Sequence, residues 1–184
     1  MRVKGTAVKS IPEFIKAEHG SKYTEWLDSL PMESKKLFIN GIKTSDWYSV
    51  EHAIIIPTVT MSELLYQSET KGAWECGRYS AKAALTGIYS LYVKMSSPGH
   101  IIDRAGRVLQ AYYEPSELNI VSKGKNNVTL HITKFPKPHK VIDARLAGWM
   151  ERALELSGCK NIKINITKSL LKGDAYTEFA INWE

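Results

Sequence analysis

The residues best suited to contact a ligand are tyrosines that recur at helical spacing. A tyrosine ring presents a large apolar surface and a hydroxyl tip, so it can line a pocket and still hydrogen-bond a bound molecule. An aromatic stripe with this spacing is also typical of an ordinary hydrophobic core, and that simpler interpretation remains open. The candidate pocket tyrosines are Tyr79, Tyr89, Tyr92 and Tyr112.

Two ionisable side chains extend this candidate site. Arg78 precedes Tyr79 and could bind an acidic head group, although a pairing with Glu75 would explain it as well. His100 follows a helix break at residues 97–99, and a neutral imidazole there could ligate a haem iron. The simpler interpretation of His100 is a first-turn polar residue that faces water. The candidate ligand-binding set is Arg78, Tyr79, Tyr89, Tyr92, His100 and Tyr112.

The sequence lacks the residue patterns of a catalytic or metal centre. It contains no Gly-x-Ser-x-Gly nucleophile motif and no glycine-rich phosphate loop. Asp174 lies in a Gly-Asp pair between two predicted strands, where a turn role is the simpler interpretation. Cys76 and Cys159 form no Cys-x-x-Cys pair, which disfavours a thiolate metal site. We therefore predict no catalytic residues and no metal site, and an enzyme is the less favoured interpretation.

Composition and charge restrict the class of protein. The 184 residues are 43% hydrophobic and 24% charged, as in an ordinary globular chain, and we expect residues 1–184 to form one domain. The net charge of +6 is spread along the sequence, so a nucleic-acid partner is not favoured. The longest dense apolar run ends at Pro57 and is far shorter than the roughly 20 residues of a membrane span. We predict a cytoplasmic protein without membrane insertion, because an apolar leader is also lacking.

The first half of the sequence predicts helices. Ser10 and Glu13 have the spacing of a capping box, which predicts a helix start at Ser10. Residues 45–48 predict the start of a longer helix. Pro57 must kink or split this helix, because proline has no backbone donor.

Small residues mark the next predicted helix, over residues 71–94. Their spacing of three and four places them on one side, where another backbone can approach closely. A further helix is predicted over residues 99–113. The small residues are Gly77, Ser80, Ala81, Ala84 and Gly87.

The second half alternates apolar and polar residues with the period of two that is typical of β-strands. Strands are predicted at residues 118–122, 128–132, 162–166 and 177–183, and a helix that stops at Gly158 separates the second strand from the third. The predicted fold class is α+β. An N-terminal helical layer packs on a four-stranded antiparallel sheet, in the order helices, then strand-strand-helix-strand-strand.

Several short motifs occur in an order that is characteristic of a known superfamily. The motifs are Gly77-Arg78-Tyr79-Ser80-Ala81, Ser97-Pro98, Tyr112-Tyr113, Phe135-Pro136-Lys137-Pro138-His139, Gly148-Trp149, Gly158, Gly173-Asp174, Glu178-Phe179 and Trp183. In these motifs the sequence resembles an uncharacterised bacterial family, numerous in myxobacteria, that is related to 4-vinyl-reductase-type domains. Those domains are similar in fold to haem nitric-oxide-binding domains and to subunits of the TRAPP trafficking complex.

The resemblance implies a domain with an apolar cavity between helices and sheet. Members of the superfamily bind small hydrocarbons, haem or acyl groups, or serve as assembly surfaces. Vinyl-reductase-type domains often carry two cysteines where this sequence has Ser169 and Thr177. Haem nitric-oxide sensors carry a Tyr-x-Ser-x-Arg motif, which this sequence lacks. We therefore predict no bound cofactor, and haem remains an alternative.

Together these features predict a non-catalytic sensory or regulatory domain that binds a small ligand. Its apolar pocket would be bounded by the helices at 71–94 and 99–113 and by the sheet. The predicted partners are a small apolar ligand and either a second copy of the chain or a signalling protein. Two alternatives remain: a structural or assembly module that acts as a dimer, and a haem-based gas sensor.

Overall fold

Helices and two antiparallel sheets make up the part of the chain that we describe. The structure is a computed structural model, and it describes residues 1–85 and 97–184. The helices are α1 (Gly5–His19), α2 (Tyr23–Asp28), α3 (Met32–Ile39), α4 (Ile56–Tyr66), α5 (Glu69–Leu85), α6 (Pro98–Ile102), α7 (Ala105–Tyr112) and α8 (Lys140–Leu156). The strands are β1 (Arg2–Lys4), β2 (Trp47–Ser49), β3 (Tyr113–Glu114), β4 (Glu117–Lys123), β5 (Asn127–Lys134), β6 (Lys163–Lys168) and β7 (Thr177–Asn182). None of the helices in these two ranges is both long enough and apolar enough to cross a bilayer.

The larger sheet has the strand order β4-β5-β7-β6, and each neighbouring pair is antiparallel. Alternate residues of β5, namely Val128, Leu130 and Ile132, are buried on the face that meets the helices. His131 points to the other face, where its ring pairs with Glu178 of β7 at 2.6 Å. The alternation with a period of two therefore gives this sheet a core face and an outer face. With helices packed on an antiparallel sheet, the predicted α+β fold class is confirmed.

The smaller sheet joins β1 to β2 on one side and to β3 on the other, again antiparallel. Val3, which is fully buried, lies opposite Tyr48 and Tyr113. The sequence did not predict this sheet, because strands of two or three residues are too short to show a period. The sheet positions two helices, because β1 leads directly into α1 and α7 leads directly into β3.

Helices α5 and α8 touch through their backbones. A Cβ atom at Gly77 would lie 2.1 Å from the carbonyl oxygen of Arg145, and one at Gly148 would lie 2.1 Å from that of Trp74. Both distances are far below van der Waals contact, so only glycine fits at either position. The close approach predicted for Gly77 is confirmed, and Gly87 lies outside the described residues.

Two of the predicted helix starts are wrong. Helix α1 begins at Gly5, and Ser10 is buried in its interior, where its hydroxyl donates to the carbonyl oxygen of Ala7 at 2.7 Å. A serine can satisfy its hydroxyl in this way inside a helix, so capping-box spacing did not identify the cap. The helix predicted from residues 45–48 also starts later, because Trp47–Ser49 forms β2 and pairs with β1.

Three other helix predictions agree more closely with the structure. Pro57 lies in the first turn of α4, directly after a π-helical turn at Glu51–Ile55, so the helical geometry changes there as predicted. The helix predicted to start at residue 71 is α5, which is described as far as Leu85. The helix predicted over 99–113 is two helices, α6 and α7.

Candidate ligand-binding site

An apolar cavity of about 70 Å³, which we call the inner cavity, lies between α7 and α8. Residues of α1, α5, β3 and β4 also contribute to its walls. Its described lining is apolar apart from hydroxyl groups and one charged side chain, that of Arg145. The lining residues are Ala7, Ser80, Ala105, Val108, Leu109, Tyr112, Tyr113, Leu118, Arg145, Leu146, Trp149 and Met150.

A second cavity, of about 210 Å³, lies between the helices and the larger sheet, and we call it the sheet cavity. Its walls come from α5, α6, α7 and α8 on one side and from β5 and β7 on the other. The lining residues are Leu85, Ile101, Ile102, Arg104, Ala105, Val108, Val128, Leu130, Trp149, Met150, Ala153, Leu154 and Ile181.

The two cavities share part of their walls. Ala105 and Val108 of α7 and Trp149 and Met150 of α8 line both of them. The cavities therefore lie back to back along the α7–α8 interface. Methionine is unbranched and changes rotamer readily, so Met150 is a flexible part of this shared wall.

Arg145 of α8 has contacts on three other elements. It is 3% exposed, and its guanidinium donates to the carbonyl oxygen of Ala7 at 2.9 Å and to the hydroxyl of Ser10 at 2.5 Å, both in α1. It also donates to Sγ of Cys76 in α5 at 2.8 Å. The hydroxyl of Tyr113 in β3 is a further hydrogen-bond partner. One side chain thus connects α8 to α1, α5 and the smaller sheet.

No carboxylate balances the charge of Arg145 among the residues that we describe. The remaining residues, 86–96, include no Asp or Glu, so they cannot supply one. Burial raises the pKa of the Cys76 thiol and of the Tyr113 hydroxyl, although Arg145 opposes both shifts, so both partners are neutral near pH 7. A guanidinium remains charged at that pH, and a buried charge without a counter-ion is costly.

The structure places the candidate tyrosines at different sites. Tyr112 lines the inner cavity, and burial raises the pKa of its hydroxyl. Tyr79 packs against the ring of Phe14 with 5.6 Å between ring centres, and it borders a separate, polar surface pocket. Tyr89 and Tyr92 lie outside the described residues. Of the two described candidates, Tyr112 is therefore the one that reaches the inner cavity.

Arg78 does not belong to the described lining of either cavity and borders the polar surface pocket beside Tyr79 instead. Its guanidinium forms ion pairs with Glu151 and, at 2.9 Å, with Glu155, both on α8. Glu75, the partner considered from sequence, is 3.8 Å away. In this arrangement Arg78 holds α5 against α8.

His100 lies on the exposed side of α6, whereas its neighbours Ile101 and Ile102 line the sheet cavity. The other histidines are also engaged elsewhere. His19 hydrogen-bonds Tyr66, His52 pairs with Glu33, His131 pairs with Glu178, and His139 caps α8.

These positions do not fit haem. All five histidines belong to the described part of the chain, and none belongs to the described lining of either cavity. Haem iron most often needs an axial imidazole, although tyrosine, methionine and thiolate ligands occur. Volumes of about 70 and 210 Å³ are also smaller than the roughly 300 Å³ or more of typical small-molecule sites.

Sequence reasoning missed the residue with the most unusual environment, Arg145. A signal was present, because Arg145 is three residues after Ile142 and four before Trp149, which places all three on one face of the predicted helix. A charged residue within an apolar helical stripe indicates a buried ion or a partner. Its contacts with Ser10 and Cys76 are tertiary and could not be read from spacing.

Solved structures with a similar fold are H-NOX (haem nitric-oxide-binding) proteins. The chain matches the S. oneidensis H-NOX protein in the Fe(II)NO state with a TM-score of 0.75 and 15% identity, over 98% of this chain and 99% of that one. It matches the unliganded Fe(II) H-NOX protein from K. algicida with a TM-score of 0.73 and 13% identity, over 98% of this chain and 96% of that one. It matches the IWP-051-bound H-NOX protein from Shewanella woodyi with a TM-score of 0.67 and 17% identity, over 97% of this chain and 93% of that one. No protein-family model and no curated protein matches the sequence.

At these identities the likeness shows the fold. The fold of haem nitric-oxide-binding domains, which the resemblance implied, is thereby confirmed as a similarity of fold. The closer relationship to vinyl-reductase-type domains and to the myxobacterial family stays a prediction.

Proposed function

We propose that this chain is a non-catalytic domain that binds a small apolar ligand and acts as a sensor or regulator. The sheet cavity carries the proposal, because it offers about 210 Å³ of space between packed helices and sheet. An apolar cavity of roughly 150 Å³ can stay dry and bind benzene or xenon. A molecule of that size and polarity therefore suits the sheet cavity.

A sensory role is supported by the origin of the cavity walls. An occupant would contact Ile102 of α6, Met150 of α8 and Ile181 of β7 at once. A ligand shifts a conformational equilibrium only if it binds one arrangement more tightly than another. Contacts to several elements allow that difference, because any change in how the helices pack on the sheet changes the shape of the cavity.

Benzene is a suitable first probe, followed through the methyl signals of the labelled protein by NMR. We expect shifts at Ile102, Leu130 and Ile181, which line the sheet cavity. The Ala105→Leu variant fills the wall shared by both cavities and should lose these shifts. Ala111→Leu makes the same change on the exposed side of α7 and should keep them.

Two results would contradict the proposal. Benzene shifts confined to surface methyl groups would show that the sheet cavity is not accessible. Equal responses in the Ala105→Leu and Ala111→Leu proteins would show that the binding site lies elsewhere.

A haem-based sensor is the second candidate, and the fold likeness to H-NOX proteins favours it. The positions of the histidines oppose it. Reconstitution of the purified protein with haemin decides between the two, because a bound haem gives a Soret band. A band that His100→Ala abolishes would support haem ligation by His100, whereas a protein that gives no band is not a haem sensor.

A further inference from the structure

Arg145 offers an anion-binding group inside the protein. Its guanidinium is buried, no carboxylate of the chain contacts it, and it forms part of the wall of the inner cavity. The guanidinium also has more N–H donors than the partners that the described residues supply. An anion in the inner cavity would satisfy both the charge and the remaining donor.

The rest of the inner cavity favours an amphipathic anion. Ser80 and Tyr112 bring hydroxyl groups to the same lining, and these can donate to an oxyanion. The remaining surface is apolar, with Leu109, Leu118 and Leu146 among its residues. A small polar head group on an apolar chain matches this combination.

We propose that the ligand is a linear aliphatic monocarboxylate, whose carboxylate binds Arg145 in the inner cavity and whose chain passes Trp149 and Met150 into the sheet cavity. This inference rests on the proposed ligand-binding function and names the chemical class of the ligand.

The carboxylate follows from charge and geometry. A carboxylate brings one negative charge to one positive charge, and one of its oxygens can accept from the donor of Arg145 that the described residues leave free. A phosphate dianion would leave surplus negative charge in an apolar cavity, which is unfavourable. The volume of about 70 Å³ also restricts the head group to a few atoms.

The direction of the chain follows from the shared wall. Trp149 and Met150 line both cavities, and methionine changes rotamer readily, so Met150 is the shared wall residue best able to open a path between them. The sheet cavity supplies the larger volume and an apolar lining. Each methylene that enters it should strengthen binding about fourfold.

Calorimetric titration of the wild-type protein with butanoate, hexanoate, octanoate and hexanamide tests the proposal directly. We expect affinity to rise along the carboxylate series. Hexanamide has the same chain and a neutral head group, and we expect it to bind at least about tenfold more weakly than hexanoate. This comparison needs no mutation.

The Arg145→Met variant adds a second test. It keeps most of the side-chain volume and removes the charge, so it should lose the preference for hexanoate over hexanamide. Arg107→Met, on the exposed side of α7, is the matched control and should retain that preference. A folded Arg145→Met protein should still show the methyl shifts caused by benzene in the sheet cavity.

The outcomes separate this inference from the proposed function. If benzene binds but hexanoate binds no better than hexanamide, the carboxylate proposal is overturned and the apolar ligand-binding function stands. If hexanoate is preferred without any gain from chain length, or sodium chloride stabilises the fold as strongly as hexanoate, the site takes a small anion and the proposal is also overturned. If neither benzene nor hexanoate binds, both proposals fail.

Discussion

Replacing Gly148 with alanine tests the backbone contact between α5 and α8. The added Cβ would lie 2.1 Å from the carbonyl oxygen of Trp74 and 3.0 Å from its Cα. Both atoms belong to the backbone, so no side-chain rotation relieves the contact and the helices must separate. Such overpacking costs about 1–3 kcal/mol and sometimes more, whereas the higher helix propensity of alanine returns about 1 kcal/mol. Because rigid backbone atoms take the contact, the upper end of that cost, about 3 kcal/mol, applies, and we expect the free energy of unfolding to fall by about 2 kcal/mol.

Urea unfolding followed by circular dichroism measures this change, provided that the dependence of unfolding free energy on urea is the same for both proteins. For a chain of this length the midpoint of thermal unfolding should fall by about 4–8 °C. Gly20→Ala is the matched control, because no atom lies within 4 Å of its Cβ position and its φ of −49° is helical. A Gly148→Ala protein as stable as the wild type would refute the contact.

Three further predictions concern titratable groups. Burial alone would raise the pKa of the Glu155 carboxyl, but hydrogen bonds from Arg78 and Arg152 hold this pKa below its usual value of 4.5. Glu155→Gln should therefore lower stability by about 1 kcal/mol or less at neutral pH, and the difference should disappear as pH falls below 4.5. Burial raises the pKa of Asp143 above its usual 3.8 despite a hydrogen bond from Ser169, so Asp143→Asn should gain stability relative to wild type as pH rises above 3.8. The buried Cys76 thiol should react with an aromatic disulfide reagent only after unfolding.

Each of these predictions has a clear contrary result. A constant difference between wild type and Glu155→Gln from pH 7 to pH 3 would show that the ion pair does not set the stability. An Asp143→Asn protein that loses stability as pH rises would show that the ionised carboxylate is stabilised in the fold. Rapid labelling of Cys76 in native Cys159→Ala protein would show that α5 opens locally.

The larger sheet could be predicted from sequence because its two central strands, β5 and β7, each have one face in the core. Val128, Leu130 and Ile132 alternate with polar neighbours for that reason, and the same holds for Phe179 and Ile181 on the neighbouring strand. The pattern is long enough to distinguish a period of two from one of 3.6. It could not show the strand order β4-β5-β7-β6, which depends on pairing between distant segments.

The smaller sheet and the site were less accessible to sequence reasoning. Strand β1 consists of three residues, and only its pairing with β2 and β3 defines it. Tyr112 lines the inner cavity, and its role in ligand binding stays a prediction. Arg145 was not selected, because its partners Ala7 and Cys76 are 138 and 69 residues away in the chain.

Arg145 takes part both in the contact between α5 and α8 and in the inner cavity, where its charge is buried. We expect this double role to decide how the domain responds to a ligand. The carbonyl oxygen of Arg145 is the atom that a Cβ at Gly77 would meet, so its backbone lies at the α5–α8 contact. Its side chain reaches α1 and the inner cavity. An anion that binds the free donor and draws the guanidinium toward the cavity would lengthen its hydrogen bonds to the carbonyl of Ala7 and the hydroxyl of Ser10, and would so weaken the link between α8 and α1. Because the α5–α8 contact leaves no room for small adjustments, we expect α1 to move while α5 and α8 stay together.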